Sequence, residues 1–240
     1  MKRGLIFCIL FLVVVFSVTL VSAHQPRLVY DKDLYLNNSE LVQNPEISQA
    51  YYAELPGSNE YYKIISNHSF NLYVQILSPY IENASKNFIV DIYYNNSTNP
   101  SWTLDGTKTT WIKFHEPFAN DDYWQGPSIN QTVAAGTYLI KVSNLNDKGK
   151  YVLVFGSIET FPFKEMIKAT LAMPRLKMYF GKSVFTAYFN KIGIYLGILL
   201  GIIIAIIVVI VVLVHRRKGR EDILNWKFKG KENIDGIEKY

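Results

Sequence analysis

Residues 192–214 read IGIYLGILLGIIIAIIVVIVVLV, without one charged side chain. A helix rising 1.5 Å per residue over this run crosses the ~30 Å of hydrocarbon in a bilayer. The run is apolar on every side and rich in β-branched residues. It has no polar face to turn toward water, which argues against a surface helix of a globular domain. The chain is therefore expected to fold as separate parts on either side of a membrane. His215, Arg216, Arg217, Lys218 and Arg220 follow at once, as the excess of basic residues in cytoplasmic flanks predicts.

The other end sets the orientation. Lys2 and Arg3 precede an apolar stretch from Leu5 to Val15 and a small-residue exit at Val21-Ser22-Ala23. This is the layout of a secretory signal peptide cut after Ala23; a retained anchor is the alternative. Cys8 follows Phe7 and lies ahead of most of the apolar core, which does not suit a lipoprotein signal. The expected organisation is a signal peptide at 1–23, an extracytoplasmic β-sandwich at 24–158, an amphipathic juxtamembrane segment at 159–190, a transmembrane helix at 191–214 and a basic cytoplasmic tail at 215–240. The expected location is the cell membrane, with the N-terminal domain outside and the tail in the cytoplasm.

Charge divides along the same borders. Residues 24–158 carry 9 basic and 13 acidic side chains, 159–191 carry 6 and 2, and 215–240 carry 8 and 5. The net charge of +5 is thus concentrated beside the membrane, where it faces lipid head groups and does not describe a nucleic-acid surface. Cys8 is the only cysteine. An exported domain without it has no disulfide and must be held by its own core, for which about 135 residues suffice.

Between His24 and Ser157 there is no long helical period. Short β-rich runs alternate with Gly, Pro, Asn and Asp. In FNLYVQIL, residues 70–77, the even positions Phe70, Leu72, Val74 and Ile76 form the apolar face. GTYLIKV at 136–142 places Tyr138, Ile140 and Val142 together, and GKYVLVFG at 149–156 places Tyr151, Leu153 and Phe155 together. The polar SNLNDKG between them predicts a hairpin. QAYYAEL and EYYKII around PGSN, 56–59, predict another. Roughly eight such strands make a mainly β protein, an antiparallel β-sandwich of jelly-roll or immunoglobulin-like type.

The segment AAGTYLIKVSNLNDKGKYVLVFG, 134–156, resembles the last hairpin of the pre-peptidase C-terminal type of β-jelly-roll domain. That family ends on a Gly-Thr-Tyr strand, a polar turn and a Gly-x-Tyr-x-Leu strand. The rest of the chain, NPEISQAYYAELPGSNEYYKI at 44–64 included, resembles the outer part of prokaryotic single-pass membrane proteins of no assigned activity. The resemblance implies a jelly-roll with a non-catalytic accessory role.

Several residues are candidates for function. Asn37, Asn67, Asn83, Asn95, Asn96 and Asn130 each head an Asn-x-Ser/Thr glycosylation sequon. Glu116, Asp121 and Asp122, with Asn120, cluster in HEPFANDDYWQGP at 115–127, read as a loop. Such oxygens suit calcium, although the spacing fits no EF-hand, and a solvated acidic turn is the plainer reading. Trp102, Trp111, Tyr123 and Trp124 could stack on sugars or simply fill the core, with Tyr123 and Trp124 the pair most suited to a ligand. His24, exposed as a mature N-terminus, could hold copper through its amine and ring together with His115 or His68. No nucleophile elbow, zinc-protease helix or phosphate loop is present, and no cofactor is expected.

Near the membrane, FPFKEMIKATLAM at 161–173 predicts an amphipathic helix presenting Phe163, Met166, Ile167, Thr170 and Leu171 on one face and ending at Pro174. Tyr179, Phe180, Phe185, Tyr188 and Phe189, with Lys182 and Lys191, suit an interfacial belt. Gly193, Gly197, Gly201 and Ala205 recur every fourth residue, the pattern of closely packed membrane helices. The expected function is non-catalytic binding at the cell surface, of a polysaccharide or protein ligand. The alternatives are an accessory subunit assembling with itself or a multispan partner through the glycine face, and a copper histidine-brace protein.

Overall fold

The computed structural model describes residues 24–117, 119–160, 162–189 and 191–235. The expected signal peptide at 1–23, the expected cleavage after Ala23 and Cys8 lie outside the described residues. The chain divides between residues 190 and 191 into two compact units.

The first unit is mainly β. Its strands are β1 (Gln25–Leu28), β2 (Glu40–Leu41), β3 (Gln49–Pro56), β4 (Glu60–Ser66), β5 (Phe70–Pro79), β6 (Ile89–Tyr94), β7 (Trp102–Asp105), β8 (Ile112–Glu116), β9 (Asp121–Val133), β10 (Gly136–Ser143) and β11 (Lys148–Phe155). They form a six-stranded sheet in the order β1-β3-β11-β5-β9-β8 and a five-stranded sheet in the order β2-β4-β10-β6-β7. Alternation works as the sequence predicts. Phe70, Leu72, Val74 and Ile76 are buried, and so are Tyr138, Ile140, Val142, Tyr151, Leu153 and Phe155. All ten belong to one core between the sheets.

Neither expected hairpin forms. β3 pairs with β11 and β1, whereas β4 pairs with β10 and β2. β10 and β11 likewise belong to different sheets. Each polar turn is an arch that carries the chain from one sheet to the other, and the two arches lie side by side. The Gly57 N–H donates to the Asp147 carbonyl at 2.7 Å, and both residues have positive φ, +102° and +47°. A polar turn between two alternating strands reads the same whether the chain reverses within a sheet or crosses over. The interior decides here: Tyr62 and Tyr151 meet across it, hydroxyl to hydroxyl at 2.9 Å.

The sheets are mixed rather than antiparallel throughout. β1 runs parallel to β3 and β2 parallel to β4. Both are short edge strands laid down by long connections, with no tight turn to reverse the chain.

Helix α1 (Phe163–Tyr179) lies over the outer face of the six-stranded sheet. It reaches β1 through Glu165 and Arg27, and β9 through Lys177 and Asp121. The helix does not end at Pro174; it runs on to Tyr179. Proline lacks the N–H that would bond the Thr170 carbonyl. The Tyr188 hydroxyl donates to that carbonyl instead, at 3.2 Å. The face that packs on the sandwich is not the apolar face read from the sequence. Ala169, Met173, Leu176 and Phe180 are buried, whereas Ile167 and Leu171 are exposed. Phe180 meets Tyr52 and Tyr123 edge-on, and Tyr179 stacks on Tyr30 with centroids 4.0 Å apart. These two rings of the expected interfacial belt therefore serve the sandwich.

The second unit contains helix α2 (Lys191–Asp235). Within it, Gly197–Arg220 is long and apolar enough to cross a membrane. The helix continues beyond the basic run that follows the apolar stretch.

Candidate functional site

The acidic group at 115–127 lies in paired strands, not in a loop. β8 and β9 form a hairpin in which His115 faces Asp122 and Glu116 faces Asp121. Side chains of successive strand residues point to opposite faces, so Asp121 and Asp122 diverge. Asp121 is buried against Lys177 and Lys182. Asp122 pairs with Lys113 at 2.7 Å and His115 at 2.8 Å, and these partners lower its pKa, Lys113 most. Glu116 accepts from the Ala119 N–H at 2.6 Å. Asp121 and Asp122 thus pair with different cations. Among the described residues no group of three or more His, Cys, Asp or Glu is arranged to hold a metal.

The histidines are also engaged separately. His24 Nδ1 meets Ser48 Oγ beside β1, and burial lowers its pKa. His115 Nδ1 meets Asp122 Oδ1 on β8, and His68 Nδ1 meets Asn67 Oδ1. β1 and β8 are the two opposite edges of the six-stranded sheet.

The aromatic candidates divide in the same way. Tyr123 is buried under Phe180. Trp102 and Trp111 pack against the core, where the Trp111 indole N–H donates to the Gly106 carbonyl at 2.9 Å. Trp124 is half-buried, and its neighbour is Tyr80, at 4.9 Å between centroids. Lys86 lies 3.4 Å from the Trp124 centroid and Lys113 lies 4.5 Å from that of Tyr80. These ammonium groups sit over ring surface on which a sugar would stack.

All six sequon asparagines are exposed. The Asn95 and Asn130 side chains accept hydrogen bonds through Oδ1, from the Thr137 N–H and from Asn71 Nδ2. Their Nδ2 atoms, where a glycan would attach, stay outside those bonds. In α2, a Cβ added at Gly197 or Gly201 would meet no described atom within 4 Å, and Ala205 is exposed.

One concave site was not among the sequence candidates. It is an open cleft of about 390 Å³ at the edge where β1 and β2 end their sheets, walled by Gln25, Arg27, Glu40, Gln43, Gln49 and Tyr51. The Arg27 guanidinium organises it. It donates to Glu165 Oε2 at 2.7 Å, Gln25 Oε1 at 2.6 Å and Gln49 Oε1 at 3.3 Å. The two amides are fixed at their other ends, Gln25 Nε2 to the Thr160 carbonyl at 2.9 Å and Gln49 Nε2 to the Gln43 carbonyl at 2.8 Å. Tyr51 donates to Gln49 Oε1 at 3.3 Å. Burial raises the Tyr51 pKa, so its hydroxyl remains a neutral donor. Burial works against the Glu165 carboxylate, but Lys168 and Arg27 outweigh it and lower its pKa. The result is a set of donors and acceptors already oriented before any ligand arrives. Only the alternation of Gln25 and Arg27 hints at this in the sequence; the remaining residues come from separate segments.

No protein-family model matches the chain, and no curated protein matches it. Among solved structures, the chain is similar to the pre-peptidase C-terminal domain of a collagenase from Bacillus anthracis. The alignment covers 48% of this chain and 90% of that one, with 14% identity and a TM-score of 0.33. At that level the likeness does not establish a shared fold.

Proposed function

We propose that the chain is a single-pass membrane protein whose outer unit is a non-catalytic binding module of jelly-roll type, presented outside the cell. Strand order supports the jelly-roll reading. β3-β11-β5-β9 faces β4-β10-β6-β7, and the connections β3–β4, β4–β5, β5–β6, β9–β10 and β10–β11 each change sheets. That alternation belongs to double-sheet jelly rolls. The helix segment Gly197–Arg220 supports the anchor, and the basic run after the apolar stretch supports a cytoplasmic C-terminus.

The observation that carries the binding role is the cleft beside β1, in which Arg27 holds the buried Gln25 and Gln49 amides in fixed orientation. Preorganised amides, a guanidinium and a carboxylate suit a polyhydroxylated ligand, and a surface polysaccharide is the ligand class proposed. Placing the full chain in nanodiscs on an oligosaccharide array tests this. Binding that falls at least tenfold in Arg27→Ala and Gln25→Ala is the expected result. Oligosaccharide binding that is absent, or unaffected by both substitutions, overturns the reading. The exposed sequons are proposed glycosylation sites, checked by a mass shift on amidase treatment.

A second reading is assembly through the membrane helix, favoured by the open space over Gly197 and Gly201. Replacing both by Leu should abolish association of the span in detergent.

A further inference from the structure

Helix α1 is apolar on two opposite faces, and the sandwich covers only one. At 100° per residue, Ala169, Met173, Leu176 and Phe180 fall on the buried side. Ile167, Leu171 and Met178 fall within an arc of about 40° roughly opposite it. They are 45%, 70% and 59% exposed. Water gains nothing from such a stripe, and no described residue of the sandwich covers it.

Two further observations point to what does. Lys164, Lys168 and Arg175 recur along the helix about 60° from the stripe, and all three are exposed. An apolar stripe flanked by a basic row is the pattern of a helix lying in a membrane interface, with the apolar side in the acyl boundary and the cations at head groups. Apolar exposure also continues along the chain toward the span. Phe185 and Phe189 are 87% and 71% exposed in and just after the 3-10 turn Val184–Tyr188. Phe189 precedes the span at Gly197 by eight residues, at most ~29 Å of chain even when fully extended.

We infer that the outer stripe of α1, with Phe185 and Phe189, docks on the outer leaflet of the bilayer that holds α2, and that Lys164, Lys168 and Arg175 favour anionic lipid there. The inference rests on the membrane anchoring proposed above. The docked helix would lie between lipid and the six-stranded sheet, holding the sandwich against the membrane by α1 rather than on a free stalk.

The test uses the full chain, with Cys8→Ser, in nanodiscs of phosphatidylcholine with or without phosphatidylglycerol. Nitroxides are placed by Leu171→Cys, Phe185→Cys and, as a reference in the β6–β7 loop, Asn99→Cys. The expected ratio of oxygen to nickel-chelate accessibility is several-fold higher at 171 and 185 than at 99. With phosphatidylglycerol present, the triple variant Lys164→Glu, Lys168→Glu, Arg175→Glu should lower the ratio at 171; an unchanged ratio overturns the preference for anionic lipid. A chain that inserts but shows the same ratio at all three labels overturns the docking alone. A chain that does not insert overturns the anchoring reading and the docking with it.

Discussion

One carboxylate oxygen on β9 holds two lysines from the segment that precedes α2. Asp121 Oδ1 lies 2.8 Å from Lys177 Nζ and 2.9 Å from Lys182 Nζ. Lys177 is only 1% exposed and also donates to the Ala119 carbonyl at 2.9 Å. This pairing fastens α1 to the sandwich. Removing one partner of a buried ion pair leaves an uncompensated charge.

Asp121→Ala should therefore destabilise the outer unit by about 3–5 kcal/mol. Lys182→Ala should cost less, because that side chain reaches solvent and Lys177 still neutralises Asp121. The double variant Asp121→Leu, Lys177→Met should recover much of the loss, since an apolar pair of similar size needs no desolvated charge. Chemical denaturation midpoints of the three variants check the order.

The Thr170 carbonyl, Pro174 and Tyr188 form a second coupled set. Tyr188→Phe removes the donor that replaces the missing proline N–H, at a cost of about 1 kcal/mol. In a Pro174→Ala background the alanine N–H supplies that bond, so Tyr188→Phe should cost markedly less. A double-mutant cycle reads the coupling. Equal costs in both backgrounds would show that the hydroxyl does not compensate for the proline.

The sequence makes one dimension of this fold legible and hides the other. Alternation in 70–77, 136–142 and 149–156 identifies the inward residues, because a strand buries every second side chain whichever sheet it joins. It cannot say which sheet, so the turns at 57–59 and 144–147 read as hairpins when they are arches. The same period also split the acidic cluster, sending Asp121 under α1 and Asp122 to Lys113. Lys177 gave no warning of burial, since its partner lies 56 positions earlier. The cleft was illegible for a similar reason. Gln and Asn are common in this domain, and only the edge position of β1 brings Gln25, Arg27 and Gln49 together.

Two glycines with positive φ should respond differently to alanine. At Gly156, φ is +71° and an added Cβ would clash with the Ile47 carbonyl oxygen. That atom belongs to backbone held by the bridge between Ile47 and Ile158 and cannot swing aside. At Gly57, φ is +102° but no described atom lies within 4 Å of the added Cβ. Gly57→Ala meets backbone strain alone, of about 1–3 kcal/mol. Gly156→Ala meets strain and a clash, and thermal unfolding should show the larger loss there.

Glu60 gives the outer unit an unusual dependence on pH. Its carboxyl is 1% exposed at the start of β4 and accepts from the Tyr151 hydroxyl, which itself meets Tyr62. Burial pushes its pKa from 4.5 up to about 7; the Tyr151 bond opposes this, while Asp33 and Glu54 add to it. The folded state therefore holds this proton more tightly than the unfolded state does. Stability from the group is fully present below pH 4.5, declines as pH rises through the window to about 7, and is lost above it. The sign is opposite to that of a salt-bridged carboxylate such as Asp122. Glu60→Gln keeps a neutral side chain at every pH and should remove this slope. Relative to the unsubstituted chain it should gain stability between about pH 5 and pH 8, by up to about 3 kcal/mol. Urea midpoints measured across that range check the prediction, and parallel curves for the two proteins would show that Glu60 is ionised in the fold throughout.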